Sequence, residues 1–148
     1  MATQKHKAAY VIGCFDPEVR KLETIFNERF GGQENYFYVP EPGGVYYLAR
    51  PCYSLLDIVR NPIMRWSITN KIRKARSVYY FDTILLVNHS YCRMYANLKT
   101  NWSEDAPSVQ QDLHEEELLL AETFLKKYFS GMQVERHYFS TEKQELIF

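Results

Sequence analysis

The chain carries little cysteine, glycine or proline, no excess of charge and no long apolar run, and each shortage removes a class of protein. Three cysteines in 148 residues, Cys14, Cys52 and Cys92, are an odd number at wide spacing. That is a poor framework for a disulfide-built secreted domain and points to a reducing compartment, with free thiols or a metal. Six glycines and six prolines, with no internal repeat or low-complexity tract, argue against collagen-like and disordered arrangements. Eighteen basic residues balance eighteen acidic ones, so no global field draws the chain to nucleic acid or anionic lipid. Apolar runs such as Ile84 to Val87 are far too short to span a bilayer, and the N-terminus holds Lys5, His6 and Lys7 but no apolar signal stretch. The expectation is a cytoplasmic protein with no membrane partner.

What is present is a globular composition, 46% hydrophobic and 24% charged, over a length that suits one domain spanning residues 1–148. Aromatic residues are in excess at 16%, with twelve Tyr and nine Phe, which fill cores, pockets and interfaces. Ala8 to Cys14 reads as a buried strand. Asp16, Pro17 and Glu18 read as a helix start with Asp16 as N-cap, and Val19, Leu22, Phe26 and Phe30 carry a helical period to Gly31. Asn35–Val39 and Val45–Ala49 read as strands. Pro62–Arg76 reads as a helix with Ile63, Trp66, Ile72 and Ala75 inward and its basic residues outward. Thr83–His89 is a central strand, Lys99–Gln111 a polar linker, and Leu113–Phe129 a helix. In that last helix Leu118, Leu119, Ala121, Phe124, Leu125 and Tyr128 face the core against outward Glu115, Glu116 and Glu117. Gln133–Phe139 and Glu145–Phe148 form a terminal hairpin. Strands alternating with helices predict a three-layer α/β domain with a central, mainly parallel β-sheet, whose sites lie beyond the carboxyl ends of the strands.

Two motifs fall at such ends: Cys14-Phe15-Asp16, and His89-Ser90-Tyr91-Cys92. Neighbouring parallel strands bring two thiols, an imidazole and a carboxylate together, a ligand set suited to Zn²⁺. Taken singly, each has a plainer reading, since a buried Cys is an ordinary core residue and Asp16 serves as an N-cap. Thiol redox chemistry at Cys14 would need Cys92 as resolving partner, without a Cys-x-x-Cys pair. Cys52 reads as a core or pocket-lining thiol, and His6, His114 and His137 as surface or strand residues. The basic run Arg60, Arg65, Lys71, Arg73, Lys74 and Arg76, with Trp66 and Tyr79 nearby, reads as a solvated helix face, and nucleic acid is not an expected partner.

Cys-x-Asp on a first strand, followed after a later apolar strand by His-x-x-Cys, resembles the zinc-ligand pattern of the β-class carbonic anhydrases. The segments YVIGCFD, VYYLARP, FDTILLVNHSYC and VERHYFSTEKQELIF are similar, in order, to successive parts of that family, so the chain resembles a short, divergent member. The resemblance implies Cys14, His89 and Cys92 as zinc ligands and Asp16 as the catalytic aspartate. It also implies reversible hydration of CO₂ to bicarbonate by a zinc-bound hydroxide. Phe15 and Tyr91, inside the motifs, are expected to wall the substrate pocket, and a homodimer or higher homo-oligomer is expected. The sequence departs where the family's arginine follows the aspartate by two, because residue 18 is Glu; Arg20 and Arg93 are the candidate substitutes. Without that arginine Asp16 becomes a fourth ligand, which gives the alternative of a catalytically impaired structural or interaction protein. Hydrolysis of carbonyl sulfide or carbon disulfide is a further alternative of the same resemblance.

Overall fold

The computed structural model describes residues 5–49, 55–98 and 107–147. Cys52 and positions 99–106 of the expected linker therefore lie outside the described residues. In chain order the elements are β1 (Lys5–His6), β2 (Ala9–Gly13), a 3-10 turn (Pro17–Val19), α1 (Lys21–Phe30), a second 3-10 turn (Gln33–Asn35) and β3 (Tyr36–Pro40). There follow α2 (Tyr46–Ala49), α3 (Leu55–Val78), β4 (Tyr79–Tyr80), β5 (Thr83–His89), α4 (Arg93–Leu98), α5 (Pro107–Tyr128), β6 (Gln133–Ser140) and β7 (Glu145–Leu146).

Five strands form one sheet in the order β3-β2-β5-β6-β7, parallel throughout except for the final antiparallel hairpin. β1 and β4 pair in a separate two-stranded ribbon. Strand alternation divides the core between the two faces. Ala9, Val11, Leu85 and Val87 face α1 with Leu22, Phe26 and Tyr36. Tyr10, Ile12, Ile84 and Leu86 face the opposite layer with Tyr46, Ile68, Ile72, Leu118 and Leu125. The expected mainly parallel three-layer α/β arrangement is thus present. Burial of β2 and β5 on both faces explains why their sequences are continuously apolar. Among the described residues no helix is long and apolar enough to cross a membrane.

Several local expectations are corrected. Val45–Ala49 is not a strand; Gly43 and Gly44 adopt left-handed backbone, with φ of 68° and 61°, and turn the chain off the sheet edge into α2, where Tyr46 and Leu48 are fully buried. A Cβ at Gly44 would approach Asn88 Oδ1 to 2.5 Å and the Val87 carbonyl to 2.8 Å, so glycine is required there twice over. The first helix begins at Lys21 rather than after an Asp16 cap. A 3-10 turn intervenes, in which the Asp16 carbonyl, not its side chain, accepts from the Val19 N–H at 3.1 Å.

α3 is longer than the expected helix and is phased differently. Asn61, Arg65, Ile68 and Ile72 recur on its inner side, and Ile63 and Trp66 stand outward, both exposed. Ile72 and Ala75 do face the core. The end of the expected linker, residues 107–111, belongs to α5, and α4 was not anticipated. Along α5, Leu118, Ala121 and Leu125 are buried as expected, but Leu119 and Tyr128 are exposed, and Glu117 and His114 are inside. The basic run on α3 is partly engaged within the fold. Arg65 packs on the Phe124 ring at 3.9 Å, Lys71 pairs with buried Glu41 at 2.5 Å, and Arg73 lies over Tyr128 at 4.9 Å.

Candidate metal centre

Parallel pairing of β2 with β5, in the register Ile12 to Leu86, brings the carboxyl ends of two neighbouring strands level. Cys14 follows the last residue of β2, and His89 closes β5. Residues 90 and 91 then turn the chain, with Tyr91 at φ 54°, so that Cys92 returns to the same place just before α4. One ligand atom each from Cys14, His89 and Cys92 lies within 4.8 Å of the others, and all three side chains are buried. The two sulfurs are 3.7 Å apart and are free thiols, not a disulfide.

The protonation pattern of this trio suits a cation. The Ser90 carbonyl can only accept, so the His89 Nδ1, 2.8 Å away, carries the ring proton. With Nδ1 engaged by Ser90, His89 Nε2 is the ring nitrogen left to face the sulfurs, and it is buried with no partner in hydrogen-bonding geometry. A buried polar atom in that condition is costly unless something binds it. The Cys92 thiol beside it holds the Cys14 sulfur far below the ordinary thiol range, at about 4, with His89 and the Asp16 N–H adding and burial opposing. Contact with Cys14, then burial, pushes Cys92 upward, so the pair retains one proton between two sulfurs. A soft divalent ion taking S and N ligands tetrahedrally would displace the protons held among these groups and bind both sulfurs and His89 Nε2, so the residues present fit such a metal.

Around the trio, Asp16 is buried, and its Oδ2 lies 4.0 Å from Arg93 Nε, whose side chain is 75% exposed. Two cavities flank the Cys14–Asp16 segment. One, about 260 Å³, is closed by Phe15, Pro42, Gly43, Arg93 and Met94. The other, about 250 Å³, is closed by Phe15, Val19, Arg20, Tyr38 and Pro40. Phe15 and both candidate arginines therefore stand beside Asp16, one arginine in each cavity. Tyr91 is in neither. It donates its hydroxyl to Glu142 at 2.9 Å and lines a separate cavity with Ser90 and Tyr138, because its left-handed backbone turns the ring away. The side chain of Glu18 lies outside the described residues.

Sequence reasoning missed the polar support behind His89. Asn88 Oδ1 accepts from the Val45 N–H at 3.1 Å, which orients its amide to donate to His114 Nδ1 at 3.0 Å and toward the Tyr95 hydroxyl at 3.4 Å. Tyr95 in turn donates to buried Glu117. Gln110, fully buried, accepts from the Tyr91 N–H at 3.0 Å. The signal was the helical phase of α5: residues 110, 114, 117, 118 and 121 share one side, so the polar members had to be buried with the leucines.

Comparison with solved structures bears on the architecture. A carbonic anhydrase from Glaciozyma antarctica superposes with a TM-score of 0.55 at 12% identity, over 97% of this chain and 82% of that one. A carbon disulfide hydrolase in its apo form superposes with a TM-score of 0.54 at 13% identity, over 97% of this chain and 78% of that one. No protein-family model and no curated protein matches. The chain has a divergent β-carbonic-anhydrase-like fold.

His114 generates a prediction. Burial, and then the neighbouring His89 ring, lowers its pKa from 6.5 to about 3. Between those values the unfolded chain binds a proton that the native site refuses, so stability falls as pH falls, by up to about 1.4 kcal/mol per pH unit. Urea unfolding at successive pH values from 7 to 4 should show this slope, and His114→Gln, which keeps an acceptor for Asn88, should flatten it by one proton. Identical slopes in the two proteins would contradict the assignment.

Proposed function

We propose that the chain is a zinc protein that hydrates CO₂ reversibly, with Cys14, His89 and Cys92 as ligands and Asp16 as the group that orients the nucleophile. The observation that carries this reading is the buried trio, with an unpartnered His89 Nε2, at the strand ends of a β-carbonic-anhydrase-like fold. Bound zinc would supply Lewis-acid chemistry that acidifies water near neutral pH. Two thiolates and a neutral imidazole already balance the charge of Zn²⁺, so the fate of Asp16 decides between catalyst and closed site. Arg93 Nε, 4.0 Å from Asp16 Oδ2, would compete with the metal for this carboxylate, which favours the open state over a structural zinc protein. In the open state Asp16 accepts a hydrogen bond from the attacking water and fixes its lone pair toward the carbon of CO₂. An O–C bond forms, the proton leaves to solvent and bicarbonate departs. The cavity lined by Phe15, Pro42 and Met94, about 260 Å³ and largely apolar, has room for a small linear molecule.

Carbonyl sulfide and carbon disulfide share that shape, and the likeness to a carbon disulfide hydrolase favours hydrolysis of these molecules as the second reading. One catalytic domain over 1–148 and a cytoplasmic, reducing setting fit the same proposal, since the thiol pair must stay reduced to bind metal.

A homodimer accompanies this reading. Leu56, Val59, Ile63 and Trp66 make a stripe on α3 directly opposite its buried side, and Trp66 is 62% exposed. The stripe presents on the order of 550 Å² of largely apolar surface, a large part of the roughly 800 Å² per partner of a stable interface. A single helical stripe is self-complementary about a two-fold axis, so a second copy is the occupant it suits.

Three outcomes are expected. Protein expressed with zinc should hold one equivalent, and Cys92→Ser should lower retention at least tenfold; full occupancy in that folded variant would overturn the ligand set. Zinc-loaded protein should accelerate CO₂ hydration in stopped flow, and Arg93→Ala should reduce kcat by up to about fivefold as Asp16 closes the site; no rate above buffer with stoichiometric zinc would sink the CO₂ reading. Sedimentation should give a dimer that Ile63→Asp converts to a folded monomer; a monomeric native protein at micromolar concentration would remove the interface.

A further inference from the structure

We propose that Cys14 and Cys92 are also a peroxide-reactive pair, which a hydroperoxide closes into a disulfide that excludes the metal. The consequence for zinc rests on the ligand reading above, whereas the bridge itself needs only the two thiols. Both are free, and their sulfurs lie 3.7 Å apart. Closing to the ~2.05 Å of a disulfide takes less than about 2 Å of combined movement. Two Zn–S bonds of ~2.3 Å at the tetrahedral angle would hold the sulfurs ~3.8 Å apart, so metal and bridge draw on one arrangement and compete for the same two atoms.

The backbone around the pair permits that movement. Cys14 stands just past the end of β2 and Cys92 just before α4, so neither belongs to a strand or a helix. Closure therefore leaves the β2–β5 ladder intact, with His89 still inside β5. Access separates the two thiols. Cys14 lines both cavities beside the centre, about 250 and 260 Å³, and Phe15, common to both, is 62% exposed, so each opens to solvent. Cys92 lines neither and is 1% exposed. A small neutral peroxide meets Cys14 first, with Cys92 in reach to resolve the product.

The reaction balances with the peroxide as sole oxidant. Cys14 Sγ attacks one peroxide oxygen, the O–O bond breaks, and the other oxygen leaves as water with the thiol proton, which makes Cys14 a sulfenic acid. Cys92 Sγ then attacks the Cys14 sulfur. An S–S bond forms, the S–O bond breaks, and a second water carries off the Cys92 proton. Two electrons pass from the sulfurs to the peroxide oxygens. A sulfenic acid with no thiol in reach is oxidised onward irreversibly, whereas this one is resolved by a neighbour and a dithiol reductant returns both thiols by exchange. The pair thus takes up metal when reduced and releases it when oxidised.

The full chain, freed of metal by a chelator and treated with a small excess of hydrogen peroxide, should lose both thiols. Digestion without reductant should then yield a peptide joining Cys14 to Cys92, and a Cys52→Ser variant should give the same peptide. The bridged protein should take up zinc at least about tenfold less well than the reduced protein, and dithiothreitol should restore uptake. Zinc-loaded protein should form the bridge at least about tenfold more slowly, because the metal occupies both sulfurs. The proposal is overturned if Cys14 goes on to the sulfinic acid while Cys92 stays free, if bridging requires Cys52, or if the bridged protein binds zinc as the reduced one does. Zinc uptake by the reduced chain separates the two readings: uptake without any bridge on oxidation overturns the peroxide-reactive pair alone, and a bridge in a chain that takes no zinc overturns the metal reading alone.

Discussion

Two sulfurs buried 3.7 Å apart cannot both lose their protons unless a cation stands with them. That constraint organises the site. One sulfur is held as thiolate by the proton on the other, and the imidazole beside them is turned so that its protonated nitrogen faces the Ser90 carbonyl. The separation is set by the backbone rather than by flexible side chains, because Cys14 and His89 sit at the ends of paired strands whose register is fixed by burial on both faces. A slip of one residue between β2 and β5 would put Cys14 on the wrong side and expose Val11 and Leu85 to the wrong layer. Packing of the core and assembly of the trio are therefore one event, and the concentration of sulfur and nitrogen donors in one place is a property of the folded sheet.

The residue before His89 ties this arrangement to the rest of one layer. Asn88 takes the Val45 N–H on one side and gives its amide to His114 and Tyr95 on the other, so the loop after β3, helix α4 and helix α5 meet at a single side chain. Its orientation leaves no freedom at Gly44, where even a methyl group would collide with it. On the other side of β2, Gly13 is pressed by the Tyr38 ring, whose hydroxyl donates to the Cys14 carbonyl at 2.8 Å. Both glycines admit a polar group that fixes a ligand strand end, the contribution that supporting groups make at metal sites generally.

The parts of this that were legible in the sequence are those that depend on local period and on strand ends. β2 and β5 announced themselves as continuous apolar runs, and each places a candidate ligand at or just past its carboxyl end, so the grouping of Cys14 with His89 followed from topology. What was not legible required knowing which side of a helix meets the sheet. Ile63 and Trp66 look like core residues, yet Ile68 and Ile72 set the phase of α3 and turn them outward. Glu117 looks like a surface acid, yet its place one turn from His114 carries it under Tyr95. Asp16 was overassigned for a related reason: an Asp-Pro-Glu triplet is a good helix start, but a 3-10 turn follows it and α1 begins only at Lys21, while the buried Asp16 carboxylate lies 4.0 Å from Arg93. The aromatic excess is mostly structural, in clusters such as Phe26, Phe30 and Tyr36 or Tyr10, Phe37 and Phe81, with Phe15 left to the cavities beside the trio.

The position of the arginine has a consequence of its own. With Glu at residue 18, the cation nearest Asp16 in the proposed site comes from Arg93, directly after a ligand cysteine. A partner on the aspartate's own turn would move with the carboxylate; Arg93 moves with Cys92 and α4. At 4.0 Å and with its side chain three quarters exposed, the pair is screened by water and salt, and such contacts contribute about 1 kcal/mol at most. In the proposed open state the carboxylate would thus be kept from the metal only by an interaction of this small size. Displacement of Met94 or Pro42, which share the cavity with Arg93, would reposition the guanidinium without touching a ligand. On that proposal the balance between open and closed forms would depend on the loop after β3 and on the first turn of α4, the same two segments that Asn88 joins.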